Sequence, residues 1–259
     1  MAVKRIVFSP TGGTQRVANI VAEALAAQGV GDLAEGVDLC DPHADYAAAA
    51  LSAGDVVVFA VPSFGGRVPA LATERLAKVA GNGARCVLVC VYGNRAYEDT
   101  LVEMEDAAKS AGFTVVAAMA AIAEHSMMHQ YATGRPDAED KAVLEGMAAR
   151  IAEKLRGDHA TAEPEGIPGN RPYKKSGKGM VPKASSACVA CGLCTRSCPA
   201  EAIDLADPRH VDADKCIGCM RCVSVCPHDA RSLNGAMLAA ASLALKKACS
   251  TCKEPELYL

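Results

Sequence analysis

Residues Cys188 to Pro227 constrain this chain more than any other stretch. They read CVACGLCTRSCP and, after an interval, CIGCMRCVSVCP. Cys188, Cys191, Cys194 and Cys198 lead into Pro199, and Cys216, Cys219, Cys222 and Cys226 lead into Pro227. Each half is a C-x2-C-x2-C-x3-C-P run, and each cysteine of the first run returns 28 positions later. Iron–sulfur clusters need soft, anionic ligands, which thiolates supply, and two residues between cysteines let a loop wrap one face of a cube. A zinc site or a disulfide framework is the competing reading. Zinc sites usually pair two C-x2-C halves, without the third cysteine and the C-P that each half carries here.

The 259 residues suggest one medium and one small domain, and 51% hydrophobic residues are enough for a real core. Residues 1–157 hold 19 acids against 14 bases, and residues 158–184 hold 3 against 5. Residues 185–259 are balanced at 8 and 8, before cluster thiolates add negative charge. No basic face emerges, so nucleic acid is not expected as a partner. Met1–Pro10 holds only a short apolar run, and no uncharged run reaches about 18 residues, so neither a signal peptide nor a membrane span is expected. Thirteen cysteines, eight of them claimed by clusters, suggest a cytoplasmic protein from an anaerobe.

Along residues 1–157, apolar runs at Val3–Phe8, Val37–Cys40, Asp55–Val61, Cys86–Val91 and Thr114–Ala123 alternate with helical stretches. Val17, Ile20, Val21, Ala24 and Leu25 make one helical face, Tyr46–Ser52, Pro69–Val79 and Ala96–Ala111 suggest further helices, and Asp137 is placed to cap a helix from Ala138 to Leu155. Continuous apolar strands alternating with helices argue a parallel sheet covered on both faces. Ligands of such sheets sit beyond the carboxyl ends of the strands. The loops there are SPTGGT (Ser9–Thr14), PSFGGRV (Pro62–Val68) and YGNRAYE (Tyr92–Glu98). The first has no lysine and no GxGxxG; it offers hydroxyls and glycine amides at a helix N-terminus, a neutral cradle for a terminal phosphate.

SPTGGT after the first strand resembles the FMN-phosphate loop of flavodoxins, and PSFGGRVP and YGNRAYED resemble that family's two flavin-ring loops. The cysteine runs resemble those of bacterial two-cluster ferredoxins. The whole chain is similar to flavodoxin/ferredoxin fusion proteins. The resemblance implies a flavodoxin-like, doubly wound, five-stranded parallel sheet at 1–157. A basic Pro/Gly linker at 158–183 would follow, then a small α+β ferredoxin domain at 184–232, and a C-terminal helix and tail at 233–259. It implies FMN, with Ser9, Thr11, Gly12, Gly13 and Thr14 on the phosphate. Ser63, Phe64, Gly65 and Gly66 would line one side of the ring, and Tyr92, Gly93, Asn94, Arg95 and Tyr97 the other. It also implies two [4Fe-4S] clusters. Cys188, Cys191, Cys194 and Cys226 would hold one, and Cys216, Cys219, Cys222 and Cys198 the other, each fourth cysteine crossing to the opposite cluster.

The chain departs from ordinary flavodoxins in having no Trp and in placing Arg67 and Arg95 in the ring loops, where a free cation would stabilise anionic reduced flavin. His125, His129, Met127 and Met128 follow the last strand and could close the pocket, with Glu124–His125 as an acid–base pair. Arg171–Lys183 carries five positive charges and no acid. It reads either as a soluble tether or as a strap that fixes the approach of the two domains. Cys40, Cys86 and Cys90 read as buried apolar residues, and Cys249 and Cys252 as incidental thiols on a mobile tail or a redox or metal pair. The resulting expectation is an electron-transfer iron–sulfur flavoprotein with redox protein partners. The alternative is an oxidoreductase that reduces a quinone, nicotinamide or enone at the flavin.

Overall fold

The computed structural model describes residues 1–177 and 179–259. Lys178, one of the linker's five cations, lies outside the described residues. Strand β1 (Ala2–Val7) leads into α1 (Gly13–Ala27) and then into the short β2 (Asp32–Leu33) and β3 (Val37–Asp38). β4 (Val56–Pro62), α2 (Ala70–Leu76), β5 (Arg85–Tyr92), α3 (Thr100–Ser110), β6 (Thr114–Ile122) and α4 (Ala138–Arg156) follow. β1, β4, β5 and β6 pair in parallel in that order. β2 and β3 both pair parallel with β1, Ala2 facing Asp32 and Ile6 facing Val37, so they are two pieces of one interrupted edge strand. Gly36 sits at the interruption: a Cβ there would stand 2.1 Å from the Arg5 carbonyl, so only glycine lets the backbones approach. The five positions run edge strand–β1–β4–β5–β6, the flavodoxin-like order 2-1-3-4-5.

Both faces of the sheet are covered, as its near-continuous apolar strands require. α1 and α4 bury Val17, Val21, Leu25, Leu144 and Ile151 against Val3, Val58 and Val89. α2 and α3 bury Leu76, Leu101 and Met104 against Ile6, Phe8, Phe59 and Leu88 on the other face. Each such side chain contributes about 1.5–3 kcal/mol by leaving water. Asp137 caps α4 through the Glu139 and Asp140 amides, in a capping box with Asp140. The helix expected at Tyr46–Ser52 is only a single 3-10 turn at Tyr46–Ala48. The Asp45 side chain accepts from the Ala47 and Ala48 amides there, and one turn is too short to propagate before the chain returns to β4.

β7 (Lys183–Ala184) and β8 (Arg231–Ser232) pair antiparallel and bracket the cysteine runs, which carry the one-turn helices α5 (Leu193–Arg196) and α6 (Arg221–Ser224). The 28-residue repeat extends to the backbone. Ala190 and Gly218 share positive φ (57° and 64°), as do Gly192 and Met220 (72° and 64°) and Glu201 and Asp229 (both 47°). Between the two runs, Ile203 forms an antiparallel bridge with Val211.

The segment after residue 232 returns to the first domain. α7 (Gly235–Cys249) meets it where Tyr131 donates to the Ser242 carbonyl at 2.8 Å. β9 (Glu256–Tyr258) then pairs antiparallel with β6, Ala118 opposite Tyr258, so the tail becomes an edge strand of the sheet rather than hanging free. The linker is anchored as well. Asp99 accepts from the Asn170 and Lys174 amides, Arg171 pairs with Glu105 and Asp106, and Tyr173 donates to Asp106. The loose tether is thereby replaced by a strap bound along α3. Among the described residues, no helix is long and apolar enough to cross a membrane.

Candidate cofactor sites

The loops after β1, β4 and β5 open onto a cavity of about 650 Å³, within the usual size of a small-molecule site. Thr11, Gly13 and Thr14 line one end, at the N-terminus of α1, whose first-turn amides have no intrahelical partner. Gly12 takes φ 91°, which turns the chain into the helix. Ser63, Phe64 and Gly65 line one side, with the Ser63 hydroxyl 2.7 Å from that of Thr100. Tyr92, Gly93 and Arg95 line another, and His125, Ser126 and Met127 a third.

Five residues expected at the flavin do not line this cavity. The Ser9 hydroxyl accepts from the Gln15 amide at 2.9 Å and its own amide donates to Cys40, so it caps α1 from behind. Gly12 forms the turn itself. Gly66 packs on Glu98, where a Cβ would meet the carboxylate at 1.8 Å. Asn94 is buried and points toward the C-terminal segment: its amide group donates to the Cys249 and Thr251 carbonyls and its oxygen accepts from the Lys253 amide. The Tyr97 ring is tilted 60° against that of Tyr92, centroids 5.2 Å apart, and its hydroxyl bonds Glu256 and Tyr258. Asn94 and Tyr97 are therefore the clasps for the C-terminal strand, a role no local motif reveals because their partners lie more than 150 residues away.

The two ring-loop arginines are not free cations. Arg67 is held by both Glu103 oxygens at 2.7 Å, and Arg95 by both Glu98 oxygens at 2.8 and 3.1 Å. Glu103 also accepts from the Val68 amide. His125 accepts from the Met127 and Met128 amides through Nδ1, so its neutral ring carries the proton on Nε2. Burial first, and then the charge of His129, hold its imidazole below the ordinary range. Glu124 pairs with His129 at 2.6 Å and not with His125, which removes the expected acid–base pair.

A fourth wall comes from the cysteine-rich domain: Cys216, Ile217, Gly218 and Cys219 line the same cavity, together with linker residues Ser176, Gly177 and Gly179. Gly218 takes φ 64°, and a Cβ on it would stand 3.0 Å from the Gly179 Cα, so loop and strap touch backbone to backbone. Two polar ties join the domains nearby. Arg75 of α2, buried, donates to Leu39 at 2.6 Å and across the interface to the Pro199 carbonyl at 2.5 Å. Arg221 reaches the Ser9 and Pro10 carbonyls at 3.5 and 3.4 Å.

The eight cysteines surround two further cavities. Cys188, Cys191, Cys194 and Cys226 line one. Cys198, Cys216, Cys219 and Cys222 line the other. In each, three cysteines come from one run and the fourth from the other, which is the crossed grouping the resemblance implies. Each set of four cysteines lines one small space with few polar neighbours, a donor set suited to iron–sulfur ligation, and the Ala202 and Ala230 amides donate to the Cys198 and Cys226 sulfurs at 3.4 and 3.3 Å. Cys216 and Cys219 line both the second of these small cavities and the large cavity. Cys86 and Cys90 are buried in β5, and burial drives both thiols far above the usual range.

Residues 187–231 match the family model of the 4Fe-4S dicluster domain. No curated protein matches the chain in sequence. Among solved structures, the chain is similar to a flavodoxin from the domain Archaea, at 15% identity over 61% of this chain and 100% of that one, TM-score 0.40. It is similar to Megasphaera elsdenii flavodoxin at 20% identity over 57% and 98%, TM-score 0.38. An NAD(P)H:quinone oxidoreductase from Methanothermobacter marburgensis aligns at 16% identity over 61% and 98%, TM-score 0.33. The strand order and the dicluster match together define a flavodoxin-like α/β domain followed by a 4Fe-4S ferredoxin-like domain.

Proposed function

We propose that this chain is an electron-transfer iron–sulfur flavoprotein that passes electrons directly between FMN in the large cavity and a [4Fe-4S] cluster at Cys198, Cys216, Cys219 and Cys222. A second cluster at Cys188, Cys191, Cys194 and Cys226 would extend the route toward redox partner proteins. The observation that carries this reading is the shared wall: Cys216 and Cys219 face both the cavity and their own cluster site. FMN takes electrons singly or in pairs and clusters take them one at a time, so the pair couples one- and two-electron carriers.

The chain supplies placement and electrostatics. Thr11, Gly13 and Thr14 offer hydroxyls and helix-terminal amides to a phosphate. Phe64 and Tyr92, both lining the cavity, offer apolar faces to a planar ring, a place that Trp takes in ordinary flavodoxins. Glu103 and Glu98 neutralise Arg67 and Arg95, so neither cation biases the ring strongly toward its anionic reduced form. Loop 216–219 and the strap exclude water on the side where an electron would cross. The test is rapid anaerobic photoreduction of the flavin in reconstituted chain. Cluster bleaching at the rate of flavin reoxidation, without added mediator, supports the proposal; flavin reoxidation only by an added small molecule favours the oxidoreductase alternative instead.

A further inference from the structure

The 28-residue repeat is broken at one buried position. In the first half, Ile203 is 5% exposed and forms an apolar wall of the cavity ringed by Cys198, Cys216, Cys219 and Cys222. Its counterpart is Arg231, 3% exposed, in the wall of the cavity ringed by Cys188, Cys191, Cys194 and Cys226. A guanidinium thus stands where the other half has a branched aliphatic side chain. Its Nη2 donates to the Pro208 carbonyl. Its Nε and Nη1 are buried and have no hydrogen-bond partner among the described residues. Buried donors left unmade are costly, and a buried cation more so, unless something anionic lies in reach. Four cysteine thiolates and the cluster they would carry are the anions this cavity is built to hold.

We propose that Arg231 is a tuning residue for the cluster at Cys188, Cys191, Cys194 and Cys226, its Nε–H and Nη1–H donating to cluster sulfur. The proposal rests on the reading that these four cysteines hold a [4Fe-4S] cluster. Taking up one electron adds a negative charge to an already anionic centre. A fixed cation with two N–H donors in a low-dielectric cavity stabilises the reduced form more than the oxidised one. Arg231 therefore holds this cluster's reduction potential above the value that an isoleucine at the same place would set. The two halves, alike in ligands and backbone, become electrically unequal. The effect on the neighbouring cluster is smaller, because the charge reaches it without the hydrogen bonds.

The experiment is an anaerobic redox titration followed by EPR on the full chain, native and with Arg231→Met or Arg231→Lys. The signal of the Cys188 site is identified from a Cys191→Ser variant. Iron and labile sulfide are measured on every sample. In Arg231→Met the ratio of reduced to oxidised cluster at that site, at fixed potential, is expected to fall at least tenfold, which is 59 mV for a one-electron couple. Arg231→Lys, which keeps the charge, should recover part of the shift, and the second cluster should move less. Full iron content with an unshifted potential would overturn the proposal and leave the cluster reading standing. Native chain with iron for only one cluster would overturn the reading itself. If Arg231→Met fails to hold its cluster, the native chain labelled with 15N-arginine decides: nitrogen hyperfine coupling to the reduced cluster supports the proposal, and its absence overturns it.

Discussion

Changing Arg75 to Met should loosen the docking of the two domains without unfolding either. Arg75 is 7% exposed and donates within its own domain to Leu39 and across the interface to Pro199. A hydrogen bond from a charged donor contributes about 1.5–3 kcal/mol, and an orphaned buried carbonyl costs about 1–3 kcal/mol. Only the Pro199 bond crosses the interface, so about 2 kcal/mol is assigned to docking. At 1.4 kcal/mol per tenfold, the open population rises about 30-fold. Cys40 reports that population. It is 4% exposed, bonded to the Ser9 amide, and close enough to Arg221 and Cys219 to feel their charges. Burial, reinforced by Asp38, pushes its thiol up to about 12, so it is inert while the domains are docked. The assay is alkylation of holoprotein with a thiol reagent, read by mass spectrometry of the Cys40 peptide. Cys86 and Cys90, in the sheet core, serve as controls for global unfolding. The expected result is a rise of about 30-fold at Cys40 and a much smaller one at Cys86 and Cys90. An unchanged Cys40 rate, or equal rises at all three, would refute the interface assignment.

Three further outcomes are expected. Lys174 pairs with Glu98, but the two side chains are 39% and 30% exposed, and exposed pairs contribute only about 0–1 kcal/mol. Changing Lys174, Lys175 and Lys178 to Gln, or raising salt to about 1 M where the screening length is about 3 Å, should alter internal electron transfer less than about twofold in flash kinetics. Thr11→Ala should weaken FMN more than riboflavin in fluorescence titrations. Gly12→Val should do the same through backbone strain at φ 91° and not through a clash, since nothing lies within 4 Å of a Cβ there. The Lys174 amide first, then those of Asn170, hold the Asp99 carboxyl below its ordinary range. A depressed folded value contributes stability above about pH 4 that is lost as pH falls through it. Denaturant unfolding from pH 7 to pH 3 should therefore show an acid limb that Asp99→Asn flattens.

Much of this architecture was legible in the sequence, where the signals are local. Apolar runs separated by amphipathic stretches marked the alternation of strands and helices and the covered parallel sheet, because strand and helix periods are properties of a few adjacent residues; the strand order followed only from the resemblance. Cysteine spacing marked the eight cysteines for the same reason, and the resemblance to two-cluster ferredoxins implied how they group. The uneven edge strand was foreshadowed by the weak run Val37–Cys40. What stayed hidden depends on distant partners. Asn94 and Tyr97 sit in a loop that reads as flavin-binding, yet their side chains are taken by a C-terminal strand whose sequence, ELY, is too short to announce itself. Arg67 reads as a free charge because its partner Glu103 lies on another element. The basic linker reads equally as tether or strap because its acids, Asp99, Glu105 and Asp106, belong to α3 and the turn before it. Arg231 stays hidden in the sequence because a charged residue after a cysteine run looks like surface until the fold buries it.

The direct passage between flavin and cluster is tested by spin–spin interaction in the half-reduced chain. With flavin and clusters each reduced by one electron, EPR should show the flavin radical broadened and relaxing fast. That effect should disappear in Cys198→Ser, which removes a ligand from the site sharing Cys216 and Cys219 with the cavity, and persist in Cys191→Ser. A radical signal identical in all three proteins would contradict the shared wall and, with it, the route proposed here.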